Sequence, residues 1–457
     1  MNIETVLTTL KNQFNLDATA KILVVGLGLT GIAVTRYLDK LGLYYALVDS
    51  RDKPPLMLEF SDQHPEIPVF TGGFHDHAFA VATHLIVSPG VSLAETAIQA
   101  AIARGAICLS DIDLFACSID APIVAITGSN GKSTVTTMVG DMAREAGKNV
   151  AVGGNLGIAA LDLIAPNVEL YVLELSSFQL ERVSMLNAAA ATVLNVTADH
   201  LDRHADLADY AEQKQLIFNG TGCVILNADD PIVDAMRSTL TKRVISTFGL
   251  KATADFHIGE HLGVSFLMYQ QQPLMSVHEL PLEGAHNVAN ALAALALGYA
   301  IGLAFSPMCD ALRKFKGLAH RMQKVAVIRD ITWINDSKAT NIGACVAALD
   351  GYSRPLILIA GGDAKGADMQ ELVPVIQAKV KNVILMGKDA HLIEQAINGS
   401  VPVYPAATMQ QAVKLAAGLA STGDCVLLSP ACASIDQFRD YKDRGEQFTR
   451  AVLELAS

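Results

Sequence analysis

The chain has 457 residues, of which 51% are hydrophobic and 18% charged, and its formal net charge is −12. This composition excludes a disordered chain, and at about 100–200 residues per domain it implies several domains, with three as the working expectation. The acidic balance excludes any global attraction to nucleic acid or anionic membrane, so affinity for phosphate has to be built locally. The seven cysteines are odd in number and lack C-x-x-C spacing, which indicates neither a disulfide framework nor a zinc site. The start, Met1-Asn-Ile-Glu-Thr-Val, has no basic segment leading into an apolar run, and the long apolar stretch Gly284 to Phe305 carries His286, Asn287 and Asn290. A cytoplasmic protein without a membrane partner is expected.

Lys21-Ile-Leu-Val-Val25 is a short apolar run followed by Gly26-Leu-Gly28-Leu29-Thr30-Gly31 and a helical pattern through Leu41. Strand, glycine turn and helix in this order make the fingerprint that places a diphosphate on a helix N-terminus, and Asp49 lies near the ribose-binding position about 20 residues on. NAD and a nucleotide-diphosphate sugar are equally compatible with such a turn. Strand-helix alternation continues to about Asp113, as in a doubly wound parallel sheet, and Ile112 to Ala121 reads as a linker.

A second unit opens with Ile123-Val-Ala-Ile-Thr-Gly128-Ser129-Asn130-Gly131-Lys132-Ser133-Thr134. A buried strand runs here into a turn whose N–H groups converge on phosphate oxygens, with Lys132 reaching the terminal phosphates and the Ser133 hydroxyl available to Mg²⁺. The general pattern G-x-x-x-x-G-K-[ST] needs glycine at position 126, where this chain has Ile126, so the loop is a shortened form. The chain also lacks the N-K-x-D guanine signature, which favours ATP. Further strands are expected at Leu170 to Leu175, Ala191 to Val196 and Cys223 to Leu226. Glu174 interrupts an apolar strand, a costly place for a carboxylate unless it is paired or on Mg²⁺. Asp199-His200-Leu201-Asp202-Arg203-His204 packs acid, imidazole and guanidinium at a strand's carboxyl end, where ligands bind in open α/β sheets.

A turn-rich patch with strand-like stretches spans Val244 to Val277, and a helix follows from Ala285 to Gly302, with His286, Asn287 and Asn290 at its start. From Val325 onward a third strand-helix series has polar strand ends at Asn335 to Asn341, Gly361 to Gly366 and Ser429 to Ser434, which should converge on one rim. Phe438 to Leu455 reads as a closing amphipathic helix. Taken alone, the first glycine turn leaves open a nicotinamide-dependent oxidoreductase and the phosphate loop leaves open a nucleotide-gated binding protein. The first leaves Lys132 unexplained. The second leaves Glu174, His200 and the polar rim of the third unit unexplained.

The shortened T-G-S-N-G-K-S-T loop, together with Gly153-Gly-Asn155-Leu-Gly157, Leu173-Glu-Leu-Ser-Ser-Phe-Gln-Leu-Glu181, Asp199-His-Leu-Asp-Arg203 and Leu428-Ser-Pro-Ala-Cys-Ala-Ser434, resembles the Mur ligase family over essentially the whole chain. Folylpolyglutamate-type ligases share the loop and middle unit but have no dinucleotide-like unit in front of them. The resemblance implies an α/β fold of three domains: a Rossmann-like UDP-binding domain at 1–114, a P-loop ATPase-like central domain at 115–317 and a Rossmann-like amino-acid-binding domain at 318–457. It implies a monomer in cytoplasmic peptidoglycan precursor synthesis whose substrates are ATP, UDP-MurNAc-L-alanine and D-glutamate, joined through an acyl phosphate.

The resemblance also assigns roles. Gly28, Leu29, Thr30, Asp49, Ser50, Arg51, Ser88 and Asn155 would meet the UDP substrate. Gly128 to Thr134, Asn287, Asn290, Arg321, Asp336 and Lys338 would surround ATP. Thr340, Lys365, Ser434 and Tyr441 would hold D-glutamate. Lys132, Glu174, His200 and Lys214 would be catalytic. Two Mg²⁺ ions are implied, one on Ser133 and Glu174 and one on His200, the latter positioned by a carbamate on Lys214. Read by itself, Lys214 is a lysine on a helix surface. Two features depart from the family pattern: Tyr441 stands in place of a phenylalanine, and the segment between Arg203 and Tyr210 is one residue short.

Overall fold

A computed structural model describes residues 2–200, 203–251, 253–282, 284–350, 352 and 356–455. Among the described residues the strands form three sheets, of five, nine and six strands. The chain divides into two compact units, the first being Met1–Asn195, Tyr210–Ser276 and Asn290–Leu312, the second Val196–Asp209, Val277–Ala289 and Arg313–Ser457.

In the first unit, the five-stranded sheet runs in the order Val69–Phe70, Tyr45–Val48, Ile22–Val25, His84–Val87, Ile107–Leu109, all parallel. Ile22–Val25 and His84–Val87 are buried at every position, as the continuous apolar runs require of strands covered on both faces. The chain winds outward from Ile22–Val25 to one side and returns to build the other, so the loops after Ile22–Val25 and His84–Val87 face each other at the switch point. The nine-stranded sheet repeats this device. Ile123–Thr127 lies between Ala190–Val193 and Leu170–Glu174, and Val150–Gly154 forms its edge. On the other side come Cys223–Asn227 and Ile245–Phe248, then the antiparallel strands Phe256–His261, Val264–Tyr269 and Gln272–Ser276 that fill the turn-rich patch.

One sequence expectation fails here. The presumed linker begins with a helix, Asp111–Ala116, in which Ile112, Leu114 and Phe115 are fully buried. Ser110 and Asp113 form a reciprocal capping box. Asp113 also accepts the N–H groups of Ser184 and Met185, fastening the first sheet's last helix to the central sheet.

In the second unit the six strands run Gln323–Ile328, Ile331–Asn335, Cys425–Leu428, Leu356–Ala360, Val380–Leu385, Val403–Pro405, parallel except for the first pair. Alternation decides its two cores: Leu356 and Leu358 pack with Ile376 and Leu427 on one face, and Ile357 and Ile359 with Trp333 and Phe448 on the other. The last helix, Tyr441–Glu454, starts later than its apolar pattern because Asp440 caps it, accepting from the Asp443 N–H.

Candidate active site

The phosphate loop follows from a fully buried strand, Ile123–Thr127, that ends in a turn and feeds the helix Lys132–Glu145. Gly131 adopts φ +86°, and a Cβ there would lie 2.5 Å from Asn290 Oδ1, so the turn and Asn290 are packed against each other. Asn195, just past the adjacent strand, sets the loop's shape: its carbonyl accepts from Ser129 N–H (2.9 Å) and its Oδ1 from Asn130 N–H (2.8 Å). Lys132 Nζ curls back to Gly128 O (2.7 Å) and Ser129 O (2.9 Å). Lys214 Nζ reaches the same Gly128 O at 3.0 Å and lies 4.2 Å from the Tyr210 ring centroid. Lys214 is 1% exposed, which corrects the reading of it as a surface lysine. Helical periodicity within residues 207–215 gives no sign that the loop packs over this position.

Glu174 closes the neighbouring strand Leu170–Glu174, is 1% exposed, and accepts from Asn155 Nδ2 at 2.6 Å. Ser133 and Thr134 are buried in the first helical turn. Among the described residues no three His, Cys, Asp or Glu side chains group as a metal cage. The donor set still fits Mg²⁺, which takes one or two carboxylates and completes its shell with phosphate and water oxygens. Glu174 and Ser133 would hold it.

At the first switch point, Leu29 is 75% exposed and Ser50 is exposed beside the glycine turn. The expected ribose-binding acid, Asp49, has several partners within the protein. Asp49 accepts from Leu27 N–H (2.7 Å) and from the Arg51 backbone and guanidinium (2.7–2.9 Å). Burial opposes its charge, but Arg51 and these N–H groups outweigh it and keep the carboxyl below its ordinary pKa. These bonds brace the turn and fix the Arg51 guanidinium beside it. Ser88 Oγ donates to Gly26 O at 3.1 Å, joining the two loops.

In the second unit a narrow cleft is lined by Asp199, His200, Thr340, Asn341 and Lys365. Lys365 Nζ pairs with Asp199 Oδ1 at 2.6 Å, and Asn341 Nδ2 donates to Asp199 Oδ2 at 2.9 Å. Burial would raise the Asp199 pKa, yet the charges of Lys365 and His200 bring it below the ordinary value. His200 holds a left-handed φ of +56°, with Nε2 3.6 Å from Asp199 Oδ2. The expected convergence of the three polar strand ends is present: Ser429 Oγ donates to Asp336 Oδ2 at 3.0 Å, and Asp363 bridges Ala433. Asp336 is buried deeply enough to be pushed up to about 7, despite the Met322 N–H and Ser429 hydroxyl. Lys338 Nζ lies 3.8 Å from the Tyr441 ring centroid, so a residue assigned to ATP and one assigned to D-glutamate occupy one spot.

Ser434 is buried in the turn that Arg444 braces. Arg444, 1% exposed, donates to Ser337 O and Oγ and to the carbonyls of Cys432 and Ala433, locking two rim loops to the last helix. Asn287 and Arg321 also fall in this unit; burial lowers the pKa of the nearby His286, and Arg321 adds to the effect. Leu201 and Asp202 of the acid-imidazole segment lie outside the described residues. Asn195, Asp199, Asn341 and Arg444 were not among the sequence-derived site residues. Asp199 had a signal in the charged run at a strand end and Asn341 in the polar strand end at Asn335 to Asn341; Asn195 and Arg444 had none.

Family comparisons agree with this geometry. The Mur ligase MurD-like N-terminal domain matches residues 20–110, the Mur ligase middle domain 126–298, and the Mur ligase glutamate ligase domain 320–432. A UDP-N-acetylmuramoylalanine--D-glutamate ligase of Methylococcus capsulatus is 48% identical over 444 residues, covering 97% of each chain. One of Pseudomonas aeruginosa is 48% identical over 442 residues, covering 95% of this chain and 98% of its own. Among solved structures, UDP-N-acetylmuramate-alanine ligase MurC of Thermotoga maritima superposes with a TM-score of 0.62 at 17% identity, covering 95% of this chain and all (100%) of its own. MurF of Acinetobacter baumannii gives 0.60 at 15% identity, covering 95% and 92%. With such identity sustained over nearly the whole chain, and with the glycine turn, the shortened phosphate loop and the rim segments 335–341 and 361–366 each falling within a matched Mur ligase domain, the chain belongs to the Mur ligase family.

Proposed function

We infer that this chain is an ATP-dependent amide ligase that adds D-glutamate to UDP-N-acetylmuramoyl-L-alanine in peptidoglycan precursor synthesis. The observation that carries the ATP-dependent step is the convergence of Lys132 and Lys214 on Gly128 O, beside the buried Glu174 strand end. A carboxylate resists an amine until one of its oxygens becomes a leaving group. In the first step a substrate carboxylate oxygen attacks the γ-phosphorus and ADP departs. In the second the D-glutamate nitrogen attacks the acyl carbon, loses a proton, and phosphate leaves.

The first step brings two anions together. Loop N–H groups and Lys132 offset that repulsion in a site already shaped by Asn195. Bound Mg²⁺ supplies further charge neutralisation at the phosphates. Ser133 and Glu174 are assigned to one ion and His200 to a second. We assign Lys214 a carbamate, which would replace one of two ammonium groups sharing Gly128 O with an anion able to orient metal; uptake of ¹³C-bicarbonate into a carbamate signal lost in Lys214→Arg tests this. Thr340, Lys365 and Ser434 are assigned to D-glutamate, with Lys365 exchanging its Asp199 partner for a substrate carboxylate. Gly28, Leu29, Thr30, Ser50, Arg51 and Ser88 are assigned to UDP. The reading makes the protein a cytoplasmic monomer acting on small molecules, and among the described residues no helix is long and apolar enough to cross a membrane.

The test is phosphate release from ATP across a panel of D- and L-amino acids. Release should require both UDP-MurNAc-L-alanine and D-glutamate and ignore NAD(H). Equal release with another amino acid overturns the substrate assignment, and release without any amino acid overturns the ligase reading.

A further inference from the structure

The segment leaving Glu174 turns at once into a short helix, Ser177–Leu180, fixed by a capping box between Ser176 and Gln179. Arg182 follows immediately, and only 1% of its side chain is exposed. A buried guanidinium is costly unless its donors are met. Its two terminal nitrogens, though not Nε, are met by the Glu181 carboxylate and by three carbonyls at and just beyond the end of the strand His84–Val87: Val87 O (3.2 Å), Ser88 O (2.8 Å) and Val91 O (3.1 Å).

Those carbonyls belong to the loop that leaves His84–Val87 at the switch point. The same loop grips the glycine turn. Ser88 Oγ bonds Gly26 O, and a Cβ on Gly26 would fall 3.0 Å from Ser88 Cβ and 3.2 Å from Val91 Cγ2. Arg182, residues 87–91 and the Gly26 turn are therefore successive layers in contact, the first lying a short segment beyond Glu174 in sequence and the last at the switch point, where a helix N-terminus can seat a diphosphate.

We propose that Arg182 is a positioning residue for the nucleotide end of the UDP substrate: it holds residues 87–91 in the shape that completes the glycine-turn cradle. This rests on the reading that the UDP moiety binds at the first sheet. The planar fork suits the task because two terminal nitrogens serve carbonyls on both sides of Pro89-Gly90, which one ammonium cannot span. Loss of the fork frees the loop, and the penalty falls on the substrate the loop contacts and not on ATP.

The experiment measures KM for each substrate in Arg182→Met and Arg182→Lys. Arg182→Met should raise KM for UDP-MurNAc-L-alanine about 20-fold or more, while KM for ATP and kcat at saturation stay within about threefold; Arg182→Lys should recover part of the loss. A rise in all KM values together, or none, overturns the proposal. If the methionine variant does not fold, the lysine variant is read by the same ratio of KM values. Arg51→Ala separates the two layers of inference. If it leaves the UDP-substrate KM unchanged, the placement of UDP at the first sheet fails and the proposal with it. If it raises that KM while the Arg182 variants do not, only the role of Arg182 fails.

Discussion

Two glycine turns in this molecule share a grammar of buried strand, turn and helix, yet they are finished by opposite chemistry. At Gly26–Gly31 the surrounding groups neutralise one another: Asp49 binds Arg51 and the Leu27 N–H, and Ser88 takes the Gly26 carbonyl. No lysine enters that turn's sequence. At Gly128–Lys132 the carbonyls draw in cations, Lys132 and Lys214 both ending on Gly128 O. The lesson is that a glycine turn supplies only close backbone approach. The side chains delivered by neighbouring strands decide whether it merely seats a diphosphate or drives transfer of a phosphoryl group.

The comparison breaks most directly at Lys132. Lys132→Ala should lower ligation-dependent phosphate release by at least about 10³-fold, because the charge that offsets the approaching carboxylate is gone. The UDP-substrate dissociation constant, read by calorimetry without ATP, should stay within about threefold if the two turns serve different ligands. Unchanged turnover would remove the phosphate loop from the chemistry.

Paired alanine substitutions sharpen it next. A Cβ on Gly131 meets Asn290 Oδ1 at 2.5 Å and must adopt φ +86°, so the protein itself resists it. Gly131→Ala should cost about 1–3 kcal/mol of stability and about 10²-fold in turnover. At Gly28 a Cβ meets nothing within 4 Å, and the N-cap φ of −105° is open to any residue. Gly28→Ala should therefore leave the denaturation midpoint unchanged and raise KM for the UDP substrate about tenfold, since only the ligand's backbone approach forbids the methyl. A destabilised Gly28→Ala, or one with normal KM, would mean that this glycine serves packing or nothing.

How far these features were legible in the sequence follows the same division. Both turns, Glu174 and the rim at Asn335, Gly361 and Ser429 announce themselves because polar residues end apolar strands, and parallel topology places such ends together. Lys214 does not, since its burial depends on a loop more than eighty residues earlier packing over its helix. Arg182 and Arg444 are invisible for a different reason. Their partners are main-chain carbonyls, which leave no trace in residue identity. The helix Asp111–Ala116, which overlaps the stretch Ile112 to Ala121 that reads as linker, is too short to show a helical period, and its acids are buried by Ser110, Ser184 and Gln179, residues that no local window connects.

The smallest effect concerns two acids, Asp49 at the first turn and Asp111 near Arg182, that should pull stability in opposite directions with pH. Burial pushes Asp111 up to about 6, with Gln179 and Arg182 only partly offsetting it. Its folded pKa thus lies above the unfolded value of about 3.9, so between these limits the native state holds a proton that the unfolded chain has released, and stability falls as pH rises through the window. Asp49 behaves inversely: its folded pKa is depressed, and its contribution is present above the unfolded pKa and lost on acidification. Urea denaturation from pH 2 to 7 should show Asp111→Asn losing the downward component, a change on the order of 2 kcal/mol between pH 4 and 7, while Asp49→Asn loses stability throughout that range and rejoins wild type only as pH falls below the unfolded carboxylate value. Parallel curves for wild type and Asp111→Asn would mean that the charge of Arg182 keeps Asp111 ionised throughout, and the buried side chain would then be a carboxylate and not a protonated acid.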